Sequence, residues 1–171
     1  MPKLNLVKSK ANFAKQTEEY YNAIRTNIQF SGAQMKVITI SSVEAGEGKS
    51  TTSVNLAISF ASVGLRTLLI DADTRNSVLS GTFKSNEPYT GLSNFLSGNA
   101  DLNETICQTD ISGLDVIASG PVPPNPTSLL HNDNFRHLME VARSRYDYVI
   151  IDTPPIGLVI DAVIVAHQAD A

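Results

Sequence analysis

Short apolar runs alternate with longer amphipathic segments along most of the chain, and this alternation predicts the elements of the fold. Four runs rich in apolar, mostly β-branched residues are typical of buried strands: Lys36–Ser41, Arg66–Asp71, Gly113–Ser119 and Tyr146–Asp152. Apolar residues at helical spacing predict helices over Lys49–Gly64 and Asn134–Ser144. Buried strands separated by helices indicate a doubly wound α/β fold, in which a mostly parallel sheet is covered on both faces.

Three further segments fall outside this alternation. Apolar residues recur at helical spacing over Thr17–Phe30, and Thr17 followed by two glutamates is a suitable helix start. Asn76–Gln108 is a long polar connection with short helical pieces, and Ser119–Leu130 is a proline-rich loop that runs into a helix. We therefore expect one helix ahead of the sheet and two irregular connections within it.

The end of the sequence suggests that the sheet should continue. The last fifteen residues, GLVIDAVIVAHQADA, are rich in apolar residues and predict a helix that leads into a further strand. We therefore expect a single but incomplete domain over residues 1–171, whose last strands are missing. Residues 1–33 are expected to form an N-terminal helix for oligomerisation or linkage.

Composition limits the classes of function. The chain has 171 residues, 42% apolar and 18% charged, as expected of a globular protein, and its net charge of −4 argues against nucleic-acid binding. A single cysteine, Cys107, excludes an internal disulfide and fits a reducing compartment. The most apolar stretch, Val149–Ala166, is interrupted by aspartates and prolines, which argues against membrane insertion. We expect a cytoplasmic protein that reaches the membrane only through a partner.

The sequence SSVEAGEGKSTTS, from Ser41 to Ser53, predicts a phosphate-binding loop because it follows a strand and opens a helix. Backbone N–H groups at the helix start can surround phosphate oxygens, and glycine permits their close approach. A lysine can bind the β- and γ-phosphates, and the next hydroxyl can bind Mg²⁺. The predicted ATP-binding residues are Gly46, Glu47, Gly48, Lys49, Ser50 and Thr51. Val43 replaces the usual first glycine, and the side chains of Glu44 and Glu47 are expected to point to solvent.

Acidic side chains follow two of the predicted strands. LLIDADTR places Asp71 and Asp73 at the end of the second strand, with Arg75 just beyond, and VIIDTPP places Asp152 at the end of the fourth. The carboxyl ends of parallel strands form the ligand crevice of an open sheet. These carboxylates are therefore expected to lie beside the phosphate loop.

Together, GEGKST, LLIDADTR and VIIDTPP resemble the Walker A, Walker A′ and Walker B motifs of the bacterial tyrosine kinases of capsular and exopolysaccharide synthesis. EEYYNAIRTNIQF and GPVPPNPTSLL also resemble segments of that family, so the likeness covers nearly the whole chain. It is strongest to the cytoplasmic subunit of the two-polypeptide type, C-terminally shortened. The resemblance implies a P-loop kinase that transfers phosphate from Mg–ATP to tyrosine and is activated by a separate membrane-anchored subunit.

The chemistry of phosphoryl transfer suggests a role for each predicted residue. Lys49 is expected to be one of the catalytic residues. Mg²⁺ is expected on Ser50 and Asp152, with Asp71 as a further ligand. Asp71 is the first choice for the base that accepts the tyrosine proton, and Asp73 is the second. By resemblance, Asp73 and Arg75 instead shape the metal and nucleotide site.

Two features depart from that family. Its ring-forming helix resembles Glu-x-x-Arg-x-x-Arg, whereas this chain has Glu19, Asn22 and Arg25 and lacks one arginine. Glu19 and Arg25 can still pair between subunits of a homo-oligomer. The family also ends in a tyrosine cluster, which is absent from this sequence, and Tyr146 and Tyr148 are expected to pack in a strand.

Two alternative functions follow from these observations. A partitioning-type ATPase shares the broad fold but resembles KGGxGKT, with a lysine where this chain has Glu44. A non-catalytic nucleotide-binding adaptor is the other alternative, because the tyrosine tail is absent.

Overall fold

A seven-stranded sheet forms the centre of the protein. The computed structural model describes all residues from 1 to 171. The strands are β1 (Lys3–Leu6), β2 (Val37–Ile40), β3 (Thr67–Asp71), β4 (Phe83–Lys84), β5 (Cys107–Thr109), β6 (Leu114–Ile117) and β7 (Tyr148–Asp152). The helices are α1 (Lys8–Gln16), α2 (Glu18–Phe30), α3 (Lys49–Ser62), α4 (Leu92–Leu96), α5 (Leu102–Thr105), α6 (Pro126–Leu130), α7 (Asp133–Arg145) and α8 (Asp161–Ala166).

The four strands predicted from the sequence form the parallel centre of this sheet. The strand order is β2-β7-β3-β6-β5-β1-β4. β2, β7, β3 and β6 run parallel, whereas β5 is antiparallel to β6 and β4 is antiparallel to β1. In the pairing of β3 with β7, Asp71 lies directly opposite Asp152. The predicted mostly parallel α/β sheet is confirmed.

Two apolar cores cover the two faces of the sheet. Along β3, Leu69 belongs to the core that contains Phe60 of α3, and Ile70 belongs to the core that contains Phe135 of α7. This alternation follows from the two-residue period of a strand. Helices on both faces explain why the central strands have apolar residues at nearly every position.

The helix predicted over Thr17–Phe30 is present as α2, but the residues ahead of it differ from the expectation of a single helix. Residues 1–33 contain a strand and two helices, and Leu4 of β1 is buried in the main sheet. Thr17 joins α1 to α2, and its hydroxyl donates to the carbonyl of Phe13 and does not cap α2. β1 has four residues and only one buried position, so its sequence shows no periodic pattern of apolar residues.

The long connection from Asn76 to Gln108 is more ordered than its polar composition suggests. It contains α4, as predicted, together with α5, β4 and the start of β5. Leu79, Phe83 and Ile106 are buried within it. The helix that was predicted at the end of the proline-rich loop Ser119–Leu130 is present as α6, which begins at Pro126.

The final residues lie along the free edge of β2. The amide of Asp170 donates to the carbonyl of Val37, and the amide of Thr39 donates to the carbonyl of Ala171. The helix predicted before them is α8. None of the helices combines the length and the apolar character that crossing a membrane requires.

Candidate nucleotide site

The loop between β2 and α3 has the backbone of a phosphate cradle. Gly46 and Gly48 adopt φ values of 83° and 88°, which a side chain would strain. The backbone N–H groups from Gly46 to Thr51 donate to no acceptor within the protein. These amides lie at the amino end of a fourteen-residue helix, where the helix dipole favours an anion. The loop can therefore bind phosphate without rearranging its own hydrogen bonds.

The side chain of Glu47 was predicted to point to solvent. It is exposed, but its carboxylate also accepts hydrogen bonds from the loop. Its Oε2 accepts the amides of Val43 at 2.9 Å and Glu44 at 3.1 Å. The carboxylate thus fixes the first half of the loop, where the usual glycine is replaced by Val43. The side chain of Glu44 is exposed and has no hydrogen-bonded partner, as expected. Glu47 supports the cradle and does not line the cleft beside it.

Asp152 is held by two hydroxyls of α3. Ser50 donates to its Oδ2 at 2.6 Å, and Ser53 donates to its Oδ1 at 2.9 Å. Lys49 Nζ lies 4.0 Å from Asp152 Oδ2 and 3.7 Å from Asp73 Oδ2. The structure therefore brings together Lys49, Ser50, Asp73 and Asp152, as the sequence predicted. Burial raises the pKa of Asp152, and the hydrogen bond from Ser50 and the charge of Lys49 oppose the rise.

Asp71 is fully buried next to Asp152 and has no cationic partner. Its carboxylate accepts a hydrogen bond from the hydroxyl of Ser77, and its other oxygen accepts the amide of Asp73. Burial raises the pKa of Asp71 to about 7, with smaller contributions from the charges of Asp152 and Asp73. The Ser77 hydrogen bond partly opposes this shift. A carboxyl group of this pKa can exchange a proton near neutral pH.

Arg75 lies at the rim of the same cleft. Its Nε donates to Asp161 Oδ2 at 2.8 Å, and its Nη2 donates to the hydroxyl of Thr127 at 2.9 Å. The predicted assignment of Arg75 to the nucleotide site agrees with its position beside Lys49 and Asp73. The cleft has a volume of about 190 Å³. It is lined by Ala45, Gly46, Lys49, Asp73, Arg75, Asn76, Val78, Pro154, Pro155, Leu158 and Val159.

The donor set fits a magnesium ion bound jointly with phosphate. No group of three or more His, Cys, Asp or Glu side chains is arranged to hold a metal by itself. Mg²⁺ is usually bound by one or two carboxylates, water and substrate phosphates, so a complete protein cage is not needed. The Ser50 hydroxyl and the buried Asp152 carboxylate supply protein oxygens of the required kind, with Asp71 across the β3–β7 pair.

Sequence reasoning missed four residues that support the site: Ser53, Ser77, Thr127 and Asp161. Ser53 follows Ser50 by three positions, so helical spacing places both on one face of α3, and this signal was available. Ser77, Thr127 and Asp161 lie in or next to irregular segments. Only the tertiary contacts reveal their role.

The predicted oligomer residues on α2 have different environments. Glu19 is exposed. Arg25 is held within the chain, because its Nη1 donates to the carbonyl of Ser59 at 2.8 Å and to Asn22 Oδ1 at 3.0 Å. The Nη2 of Arg25 makes no hydrogen bond within the chain and remains available.

The tyrosines predicted to pack in a strand do pack, but only Tyr148 lies in β7, whereas Tyr146 follows the end of α7. The Tyr146 hydroxyl donates to Asp115 Oδ2 at 2.7 Å, and the ring of Tyr148 stacks on Phe60 with centroids 4.0 Å apart. Burial and the neighbouring Asp115 raise the pKa of Tyr146. Tyr20 is the most exposed tyrosine.

Known proteins of the same broad fold include cell-division ATPases. The MinD ATPase of Pyrococcus furiosus superposes with a TM-score of 0.61 at 28% identity, over 79% of this chain and 56% of that one. Solved tyrosine-kinase structures superpose more closely. The partitioning-type alternative therefore has the weaker support.

Tyrosine kinases give the stronger similarities. Residues 35–170 match the AAA domain family. The tyrosine-protein kinase CpsD of Streptococcus agalactiae is 59% identical over 170 residues, which are 99% of this chain and 73% of the relative. The kinase domain of the Escherichia coli tyrosine kinase ETK superposes with a TM-score of 0.84 at 36% identity, over 89% of this chain and 60% of that one. The chimerical protein CapA2B2 gives 0.81 at 35% identity, over 88% and 67%. The chain belongs to the family of bacterial tyrosine-protein kinases that includes CpsD.

Proposed function

We propose that this chain transfers the γ-phosphoryl group of Mg–ATP to tyrosine hydroxyls and thereby regulates capsular or exopolysaccharide synthesis. Membership of the tyrosine-kinase family supports the activity. The observation that carries the proposal is the pairing of unbonded amides from Gly46 to Thr51 with buried carboxylates at the ends of β3 and β7. One side of the cleft favours phosphate, and the other favours a cation.

Each residue acts through its charge or its hydrogen bonds. The loop amides and Lys49 hold the phosphates, which places the reacting group and neutralises charge that develops on it. Ser50 and Asp152 would hold the metal. Bound magnesium supplies further neutralisation of the phosphate oxygens. Ser53 would keep Asp152 in place through its own hydrogen bond to Oδ1.

Asp71 is suited to the role of base. A tyrosine hydroxyl has an ordinary pKa of about 10 and must lose its proton as it attacks. Burial raises the pKa of Asp71 to about 7, so its ionised form is present at neutral pH and binds a proton readily. The hydroxyl of Ser77 fixes one of its oxygens.

Regulation is proposed to involve other polypeptides. The resemblance of the motifs to the two-polypeptide kinases, together with the similarity to CpsD, supports activation by a second, membrane-anchored subunit, which would make this chain a peripheral cytoplasmic one. Self-association through α2 would use the exposed Glu19 and the free Nη2 of Arg25. Mixed-charge pairs of this kind weaken with salt, so the oligomeric state would depend on ionic strength.

Phosphate transfer from γ-labelled ATP tests the proposal directly. We expect label on tyrosine of this chain or of a tyrosine-rich peptide added in trans. Release of free phosphate without labelled tyrosine would favour a partitioning-type ATPase. Binding of ATP with neither outcome would favour a non-catalytic adaptor.

A further inference from the structure

An ion pair at the rim of the cleft joins three separate parts of the chain. Arg75 follows β3, Thr127 lies in α6, and Asp161 begins α8. Asp161 Oδ2 accepts from Arg75 Nε at 2.8 Å, and its Oδ1 accepts from the Thr127 hydroxyl at 2.7 Å. Thr127 in turn accepts from Arg75 Nη2 at 2.9 Å. The three side chains close a ring of hydrogen bonds.

Asp161 is the buried member of this ring. Its side chain is 1% exposed, whereas the side chain of Arg75 is 38% exposed. A buried carboxylate needs a charged or hydrogen-bonded partner, so Asp161 requires Arg75 more than Arg75 requires Asp161. The carboxylate is therefore a fixed point from which the guanidinium extends toward the cleft.

The ring also fixes where the rest of the guanidinium lies. Nε and Nη2 are occupied, and Nη1 makes no hydrogen bond to the protein. Because the guanidinium is planar, two fixed nitrogens determine the direction of the third. Arg75 lines the cleft with Lys49, Asp73 and Gly46. Its free N–H groups are thus available to an anion there.

The segment before Asp161 is tied to the phosphate loop as well. The amide of Ile156 donates to the carbonyl of Ser42 at 2.8 Å, and the amide of Gly157 donates to the carbonyl of Val43 at 3.2 Å. A Cβ on Gly157 would lie 2.4 Å from that Val43 carbonyl. The chain that delivers Asp161 is therefore held against the cradle.

We propose that Asp161 and Thr127 are positioning residues that hold the Arg75 guanidinium at the nucleotide cleft, where its Nη1 binds a phosphate oxygen of ATP. This proposal rests on the proposed nucleotide site and extends it to α6 and α8. Asp161 and Thr127 act through Arg75 and do not touch the nucleotide.

A double-mutant cycle distinguishes the positioning of Arg75 by Asp161 from a role of Asp161 that only stabilises α8. We expect Arg75→Ala and Asp161→Asn each to weaken binding of a fluorescent ATP analogue with Mg²⁺ about tenfold, since each removes or misplaces one charged hydrogen bond. The double variant should bind no more weakly than Arg75→Ala alone, because Asp161 acts only through Arg75. Thr127→Val should lose about threefold, and Thr127→Ser should restore binding because it keeps the hydroxyl.

Asp147→Asn is the matched control. It breaks another Arg–Asp pair, with Arg66, at the opposite end of β7 from the cleft. Its nucleotide affinity should equal that of the wild type. Thermal unfolding of every variant checks that the fold is kept.

The outcomes distinguish this proposal from the proposed function. Independent, multiplying losses in the double variant, or wild-type affinity in Asp161→Asn, would overturn the positioning role. A wild-type chain that binds the analogue but labels no tyrosine would refute the kinase function and leave the cycle measurable. A chain that binds no analogue would overturn both.

Discussion

The charged side chains at the two ends of the paired strands β3 and β7 lie in opposite environments. At their amino ends, Arg66 donates to both oxygens of Asp147, and both side chains meet solvent, with exposed fractions of 64% and 35%. At their carboxyl ends, Asp71 and Asp152 are completely buried side by side. The nearest cation there is Lys49, 4.0 Å from Asp152.

The two ends also differ in the pKa values of their aspartates. Hydrogen bonds from Arg66 lower the pKa of Asp147, whereas burial raises the pKa values of Asp71 and Asp152. The charges at the amino ends are therefore paired within the protein. The carboxyl ends instead hold negative charge that a bound cation would stabilise. Buried charge of this kind lowers the stability of the free protein and prepares it for Mg–ATP.

The largest effect should come from removing the cation at the carboxyl end. We expect Lys49→Met to lower tyrosine phosphorylation by at least about 100-fold, because it removes a positive group that holds the phosphates. Transfer of label from γ-labelled ATP measures the loss, and circular dichroism confirms the fold. Wild-type activity in the purified variant would refute the loop assignment.

The second-largest effect should appear in how stability depends on pH, through Asp71 at the carboxyl end of β3. A raised pKa means that folded Asp71 binds its proton more tightly than the unfolded chain does. Stability is therefore lost as pH rises from the ordinary value of 3.8 toward about 7. We expect Asp71→Asn, without metal or nucleotide, to raise Tm by roughly 5–10 °C at pH 8 and by much less at pH 5.

Thermal scans of both proteins at the two pH values test this. A gain that is equal at pH 5 and pH 8 would contradict the raised pKa. Addition of Mg–ATP should narrow the difference at pH 8, because the ligand stabilises the ionised carboxylates of the wild type.

A smaller effect is expected from the hydroxyl that orients Asp152. Ser53→Ala removes the donor to Asp152 Oδ1, so we expect kcat to fall roughly 3–10-fold with little change in Tm. Ser62→Ala is the matched control, since Ser62 donates to a carbonyl at the other end of the same helix. Equal rates in both variants would show that Asp152 does not need Ser53.

The smallest effect is expected at the amino ends. Asp147→Asn should lower Tm by about 3 °C or less at pH 8, because an exposed ion pair contributes little. The sign is opposite to that for Asp71→Asn, since the lowered pKa of Asp147 adds stability above its ordinary value and loses it as pH falls. Kinase activity should be unchanged. A loss of activity would mean that the two ends are coupled.

The parts of the fold that were predicted share a clear local signal. The central strands are apolar at nearly every position, and α3 and α7 are long enough to show a helical period. β1 has only one buried position, and β4 has only two residues, so neither forms an apolar run that stands out in the sequence. Their places depend on pairing with residues far along the chain, such as Lys3 opposite Gln108.

The candidate site divides in the same way. Gly46, Gly48, Lys49 and Ser50 were found because a phosphate loop is a local backbone structure, whose glycines and helix start are adjacent in sequence. Asp71 and Asp152 were found because strand ends of a parallel sheet must meet. The direction of the Glu47 side chain was not foreseen, since it depends on which amides the folded loop leaves open.

The sequence by itself determined the phosphate loop, the acidic strand ends and the kinase family, because each is written in adjacent residues with strong conformational preferences. Only the tertiary structure decided how charged those groups are and what holds them. Asp71 has a pKa near 7 because distant segments bury it. Arg75 faces the cleft because Asp161, 86 positions away, accepts its hydrogen bonds. Burial and long-range hydrogen bonding arise from packing, and no local pattern encodes them.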